Sequence, residues 1–180
     1  MTKTGAEYIV DGLLKNQVKV VFVYPGGTIA PILDVLRDSV IKIVTMRHEQ
    51  AAAFAADAYA RVTSKVGVCI ASAGPGATNL VTGIANAYCD SIPMVIITGQ
   101  VVTGQLTRSG LHTPPGTRQT GFQEIDIIGI TKPITKAGIQ IINVNELPVN
   151  IDHAFRIAST TRPGPVLIDI PMDIQSGVGQ

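Results

Sequence analysis

The sequence predicts a three-layer α/β/α fold around a mainly parallel six-stranded sheet, and three observations lead there. Short β-branched apolar runs recur along the chain, and most are followed by a segment of helical periodicity. Glycine- and proline-containing turns join run to segment, as strand-to-helix connections require. Six such runs alternating with helices argue for a parallel sheet covered on both faces.

Thr4 can cap a first helix in which Ala6, Ile9, Val10, Leu13 and Leu14 recur at helical spacing and which ends near Asn16. Val18–Tyr24 follows as a buried strand and stops at Pro25-Gly26-Gly27, a turn leading into the helical segment TIAPILDVLRDS. Ile41–Met46 is the second strand, and the alanine-rich stretch His48–Thr63 has the composition of a helix. Val66–Ala71 is the third strand, closed by the glycine turn Ser72–Asn79, after which LVTGIANAYCD reads as a helix with small residues on one face. Pro93–Thr98 is the fourth strand. From Val101 to Gly121 the rhythm breaks: Gly104, Gly110, Pro114, Pro115, Gly116 and Gly121 with Arg108 and Arg118 read as a long loop. Beyond it a short helix is expected over Phe122–Ile130, a short strand over Pro133–Ala137, a helix over Asn145–Thr160 and a last strand over Pro165–Ile170, ended by Pro171. The body of the domain spans 1–172, and 173–180 reads as the start of a linker.

A chain of 180 residues is long enough for one domain with a substantial core. Lys and Arg number 14 against 13 Asp and Glu, with no basic run and 4% aromatics, so nucleic acid is not catered for. The N-terminus lacks the basic and apolar regions of a signal peptide, and no apolar run approaches the length of a membrane span, so a soluble, cytoplasmic protein is expected. Cys69 and Cys89 lack metal-ligand spacing and read as buried free thiols.

The chemistry is sought first at Arg47-His48-Glu49-Gln50, where the second strand turns into the alanine-rich helix. A carboxylate in a helix first turn, just beyond the carboxyl end of a buried strand, stands where α/β sheets place ligand-binding groups. The macrodipole alone also favours glutamate there, so position does not decide between a structural and a functional Glu49. Gly74-Pro75-Gly76 before a helix suggests a dinucleotide fingerprint, but Asn79 replaces the third glycine and the motif follows the third strand, not the first. The other reading is that this turn presents backbone carbonyls and the Asn79 amide to a flat, polar heteroaromatic group, with Glu49 as the ionisable partner.

Six ordered motifs then carry a resemblance: YPGG at 24–27, RHEQAAAFAADAYAR at 47–61, SAGPGATNLVTGIANAYCDSIP at 72–93, TGQV at 98–101, FQEIDIIGITKPITK at 122–136 and RPGPVLIDIP at 162–171. Together they resemble the N-terminal, pyrimidine-binding domain of thiamine-diphosphate enzymes, above all the catalytic subunit of acetolactate synthase. The resemblance implies that Glu49 hydrogen-bonds the aminopyrimidine ring nitrogen and is catalytic. It implies that Pro25, Gly26, Ser72, Pro75 and Asn79 bind the cofactor, and that Gly27, Phe122 and Gln123 face the substrate, with Gln123 reaching the reaction centre. Without it, Gln123 would read as an ordinary amide at a helix start. His48 reads as an orienting or interface residue, and Arg47 as an ion-pair partner of the helix region.

The implied reaction decarboxylates pyruvate and transfers the hydroxyethyl unit to a 2-oxo acid acceptor. The implied cofactor is thiamine diphosphate with magnesium, whose diphosphate is held by a domain absent here; FAD is left open. The implied partners are a small 2-oxo acid, a second copy in a homodimer or higher homo-oligomer, and the missing domain or a partner subunit. No metal ligand is expected in this chain, and no activity of the chain alone. The loop after TGQV departs from the family pattern and leaves the acceptor open. Two other readings stand beside this one: the α-type subunit of a split thiamine-diphosphate-dependent decarboxylase, and a non-catalytic nucleotide-binding module.

Overall fold

The computed structural model describes residues 2–107 and 116–179. Six strands, β1 (Val20–Val23), β2 (Lys42–Thr45), β3 (Gly67–Ala71), β4 (Met94–Gln100), β5 (Ala137–Gln140) and β6 (Pro165–Pro171), form one sheet in the order β2-β1-β3-β4-β6-β5. Every pairing is parallel. β3, β4 and β6 are buried at every residue, whereas β2 and β5 are partly exposed, as edges must be. The chain leaves β1 toward β2 and returns past it to β3, so β1 and β3 flank a point where the winding reverses. Open α/β sheets bind ligands at such a point, beyond the carboxyl ends of the strands.

Alternation along the strands separates two cores. Val21, Val23, Val68, Ile70, Val95, Ile97, Val166 and Ile168 face one side, where they pack with α1 (Gly5–Lys15), α2 (Ala30–Arg37) and α7 (Leu147–Ser159). Cys69, Ala71, Met94, Ile96 and Leu167 face the other, against α3 (Glu49–Thr63), α4 (Pro75–Asn79), α5 (Val81–Asp90) and α6 (Ile127–Thr131). This is the three-layer α/β/α arrangement. On the second side the small residues expected of α5 have their consequence: a Cβ on Gly83 would overlap that of Ala53, and one on Gly67 would overlap the carbonyl of Ala56. Helix α3 therefore lies unusually close to both α5 and β3.

Local chemistry sets the ends. Thr4 and Glu7 form a reciprocal capping box on α1. His48 caps α3, its Nδ1 accepting from the Gln50 amide at 3.1 Å, and the helix closes on Ser64 in the left-handed conformation. Pro148 lies in the first turn of α7, where its missing N–H is harmless.

Several expectations are corrected. The turn Ser72–Asn79 contains the short helix α4, opened by Pro75. The helix placed at Phe122–Ile130 begins only at Ile127, because the Asp126 carboxylate caps it through the Gly129 amide and Gln123 is left-handed (φ 59°). The strand placed at Pro133–Ala137 lies instead at Ala137–Gln140; Lys132–Ile134 is a 3₁₀ turn, and Pro133 could not have donated to a ladder. Beside these corrections, residues 173–179 pack on α1, through the short helix α8 (Met172–Ser176) and a bridge between Thr4 and Val178. Cys69 is buried and burial pushes its thiol up to about 12, but Cys89 is exposed, because it lies on the outer side of α5. Arg47 makes no ion pair among the described residues; the pairing partner in this helix is Arg61, which donates to the buried Asp57 at 2.7 Å and to Asp90 at 2.6 Å. Arg108, Gly110, Pro114 and Pro115 of the expected loop lie outside the described residues. No helix among the described residues is long and apolar enough to cross a membrane.

Candidate active site

Glu49 is the first residue of α3, immediately beyond β2, and is 7% exposed. Its Oε2 accepts a 2.9 Å hydrogen bond from Nδ2 of Asn79, the last residue of α4. Its Oε1 has no hydrogen-bond donor among the described residues and lies over Gly76, where a Cβ would stand 3.2 Å away. Oε1 is not sealed from solvent, so a ligand can reach it. The arrangement pins one oxygen and leaves the other to a ligand, at the amino end of a fifteen-residue helix that favours negative charge.

The walls come from β1 and β3. Gly26 lies against Ser72, and a Cβ on Gly26 would stand 2.5 Å from that of Ser72. Gly76 would meet Ser72 at 3.4 Å. Glu49, Asn79, Gly76, Ser72 and Gly26 thus form one contiguous set of contacts at the β1/β3 reversal, with the two glycines letting the backbone approach Ser72 and Glu49 closely. What the arrangement offers a ligand is one carboxyl oxygen without a protein donor beside glycine backbone, which suits the edge nitrogen of a ring.

Gly74, at φ 61°, is in a conformation that disfavours side chains, and a Cβ there would overlap the carbonyl of Gln123. This close approach brings the Phe122–Gln123 segment beside the β3 turn. There Pro75, Phe122 and Gln123, with Gly74, Thr78 and Glu124, help line a cavity of about 330 Å³. Phe122 is 84% exposed, an unusual state for so large an apolar ring. Pro25 is exposed, and Gly27 has open space around it, so no contact among the described residues demands glycine there.

A larger cavity, about 410 Å³, lies between Gln100, Leu106, Arg118, Glu124, Asp126 and Gln140, at the ends of β4 and β5 and away from Glu49. Beneath it Asp169 is buried, and burial raises its carboxyl to about 6 against the opposing hydrogen bonds from Thr98, Gln100 and Gln140. Glu124 behaves oppositely. Burial raises it, but hydrogen bonds from the hydroxyl and amide of Thr107 and the amides of Thr120 and Gly121 together hold it below the ordinary glutamate value. Among the described residues no group of three or more His, Cys, Asp or Glu could hold a metal ion.

Sequence reasoning passed over Gly76 as a wall and Thr28 altogether. The Thr28 hydroxyl shares a 2.8 Å hydrogen bond with that of Ser72 and accepts from the Ala73 amide at 2.9 Å. The available signal was its place, directly after the glycine turn that closes β1.

Comparison with known proteins gives consistent matches. The family described as thiamine pyrophosphate enzyme, N-terminal TPP binding domain, matches residues 3–130. The chain is 49% identical over 173 residues to a probable acetolactate synthase large subunit of Methanocaldococcus jannaschii, covering 96% of this chain and 27% of that protein. It is 51% identical over 174 residues to the acetolactate synthase large subunit of Corynebacterium glutamicum, covering 96% and 26%. Against the acetolactate synthase isozyme 2 large subunit of Escherichia coli K12 the identity is 47% over 175 residues, covering 97% and 30%. The chain therefore spans between a quarter and a third of the length of these relatives.

Proposed function

We infer, since this chain belongs to the N-terminal TPP-binding domains of the thiamine pyrophosphate enzymes, that it holds the aminopyrimidine ring of thiamine diphosphate in an acetolactate synthase-like enzyme. The whole enzyme would decarboxylate pyruvate and transfer the two-carbon unit to a second 2-oxo acid. The observation that carries this reading is the Glu49 carboxyl: buried, with Oε2 held by Asn79 and Oε1 free over Gly76.

Thiamine diphosphate, when bound, supplies the electron sink that decarboxylation of a 2-oxo acid requires. The residues of this chain bind, orient and move a proton. Glu49 Oε1 would share a proton with the ring nitrogen, and Asn79 fixes the carboxyl plane so that the shared proton lies along one direction. Gly26, Gly76 and Ser72 would bound the ring, with Pro25 and Pro75 at its edges. Gly27, Phe122 and Gln123 would meet the substrate, and the exposed Phe122 ring fits a group that is covered once the remainder of the enzyme is present. The diphosphate and magnesium fall to another domain, as would FAD if the enzyme carries it. Catalysis then needs that domain and a second copy of the chain, in a cytoplasmic homodimer or larger homo-oligomer, with residues 1–172 as the ring-binding unit and 173–180 leading out of it.

Replacing Glu49 by Gln in the full-length enzyme tests this. Pyruvate turnover should fall at least about 100-fold, the scale of positioned proton transfer, with the thermal midpoint little changed. Turnover within a few-fold of the parent would overturn the assignment and favour a domain that keeps the fold without the chemistry.

A further inference from the structure

Helix α8 has five residues, too few to be stable on its own, yet it is fastened on several sides. The Gly5 amide donates to the Gly177 carbonyl at 2.8 Å, and Gly5 lies so close to Ile174 that a Cβ would overlap its carbonyl oxygen. The Asp173 carboxylate accepts from the Thr103 amide at 2.9 Å and the Thr103 hydroxyl at 2.6 Å, just past the end of β4. Gln175 is fully buried, and its Nε2 donates at 2.8 Å to the carbonyls of both Thr28 and Ile170. Its Oε1 has no partner among the described residues. Leaving that oxygen dry is a cost that Met or Leu would avoid, so core filling does not account for an amide at this place.

Thr28 is where these contacts converge. Its carbonyl is held from behind by Gln175, its hydroxyl holds Ser72 and the Ala73 amide in front, and it is seated on β4 where Gly99 lacks a side chain: a Cβ there would stand 2.5 Å from the Thr28 hydroxyl. We propose that Thr28 and Gln175 are positioning residues, forming a strut from α8 through the β1 turn that fixes the Ser72–Ala73 turn beside Glu49. The strut follows from the contacts alone; its bearing on the cofactor ring rests on the function proposed above. Through it, the segment by which the chain leaves the domain is mechanically joined to one wall of the site.

The test compares T28V, T28S and Q175M with the parent in the full-length enzyme, by hydrogen exchange of peptides covering 70–76 and by calorimetric titration with thiamine diphosphate and magnesium. T28V removes the hydroxyl at constant shape, and Q175M removes the amide at similar volume. Exchange in 70–76 should rise at least tenfold in both, thiamine diphosphate affinity should fall several-fold, and T28S should restore both readouts. Parent-like exchange in T28V and Q175M, with circular dichroism unchanged, overturns the strut. Faster exchange with unchanged affinity supports the strut and overturns instead the placement of the cofactor ring at Ser72.

Discussion

On one side of the sheet α1, α2 and α7 press Ile9, Leu13, Ile32, Leu36, Ile151 and Phe155 into the strands; on the other, α3, α4 and α5 bring Ala52, Ala53, Ala56, Ala77 and Ala87. The first side buries large side chains, each worth roughly 1.5–3 kcal/mol. The second also buries Leu80, Ile84, Met94, Ile96, Ile127 and Leu167, but the inner face of α3 is alanine, and Gly67 and Gly83 admit that helix at distances a methyl group would forbid. Most buried polar groups follow the division: Glu49, Asp57, Thr98, Gln100 and Asp169 lie on the second side, and Gln175, on α8 against α1 and α2, is buried on the first. Alanine and glycine at the contacts of α3 bring its backbone close to β3 and α5, and Glu49 stands in the first turn of that helix. The large-residue side holds the sheet together, and the small-residue side holds the site in shape.

The largest effect expected from breaking this contrast is on the first side. Leu36→Ala should lower unfolding free energy by about 2–5 kcal/mol in urea titration, as a fully buried leucine leaves a cavity. A loss under 1 kcal/mol would mean that side is not the main source of stability.

On the second side the buried Asp169 should mark stability with pH. Its folded carboxyl titrates near 6 against an ordinary value of 3.8, so between these values the folded state binds the proton more tightly. Stability from this group is therefore full below about pH 4 and falls as pH rises through 6, by about 3 kcal/mol in all. The difference in unfolding free energy between parent and D169N, measured from pH 4 to 7, should decline across that window. A flat difference would show that Asp169 is not strained by burial.

Gly83→Ala sharpens the contrast more directly. Alanine improves helix propensity by up to about 1 kcal/mol, but overlap with Ala53 should outweigh it and leave a net loss of about 1–2 kcal/mol. A stabilised variant would refute close packing between α3 and α5. The smallest effect belongs to the end of α1, where Thr4→Ala removes a capping box and should cost about 1 kcal/mol; no change in the thermal midpoint would count against the cap.

The contrast also explains what was legible in the sequence. Strands β1, β3, β4 and β6 stood out because their residues face apolar neighbours on both sides, and the edge strand β2 because Ile41, Ile43 and Val44 form a short β-branched run. Strand β5 did not: Gly138 and Gln140 are exposed at an edge, while ITK after Pro133 carries a stronger β-branched signature, although Ile134 ends a 3₁₀ turn and Thr135 and Lys136 only lead into the strand. The family relationship, the layered fold and the place of Glu49 after the second strand could be read, because each rests on local pattern or motif. Thr28 and Gln175 could not, since their hydrogen bonds join residues 147 positions apart. The start of α6 was missed for a similar reason: Glu124 spends its carboxylate on Thr107, Thr120 and Gly121, tying the segment ahead of the helix into a turn.

The two thiols give the molecule a built-in reporter of its own opening. Cys89 is exposed and Cys69 lies sealed between β3 and the alanine side, its thiolate form suppressed by burial. A thiol-reactive dye therefore stains the folded domain at one position, and a second equivalent is taken up only as fast as α3 lifts from the sheet. Labelling stoichiometry against time becomes a stopwatch for the side of the fold that carries Glu49, with no residue changed.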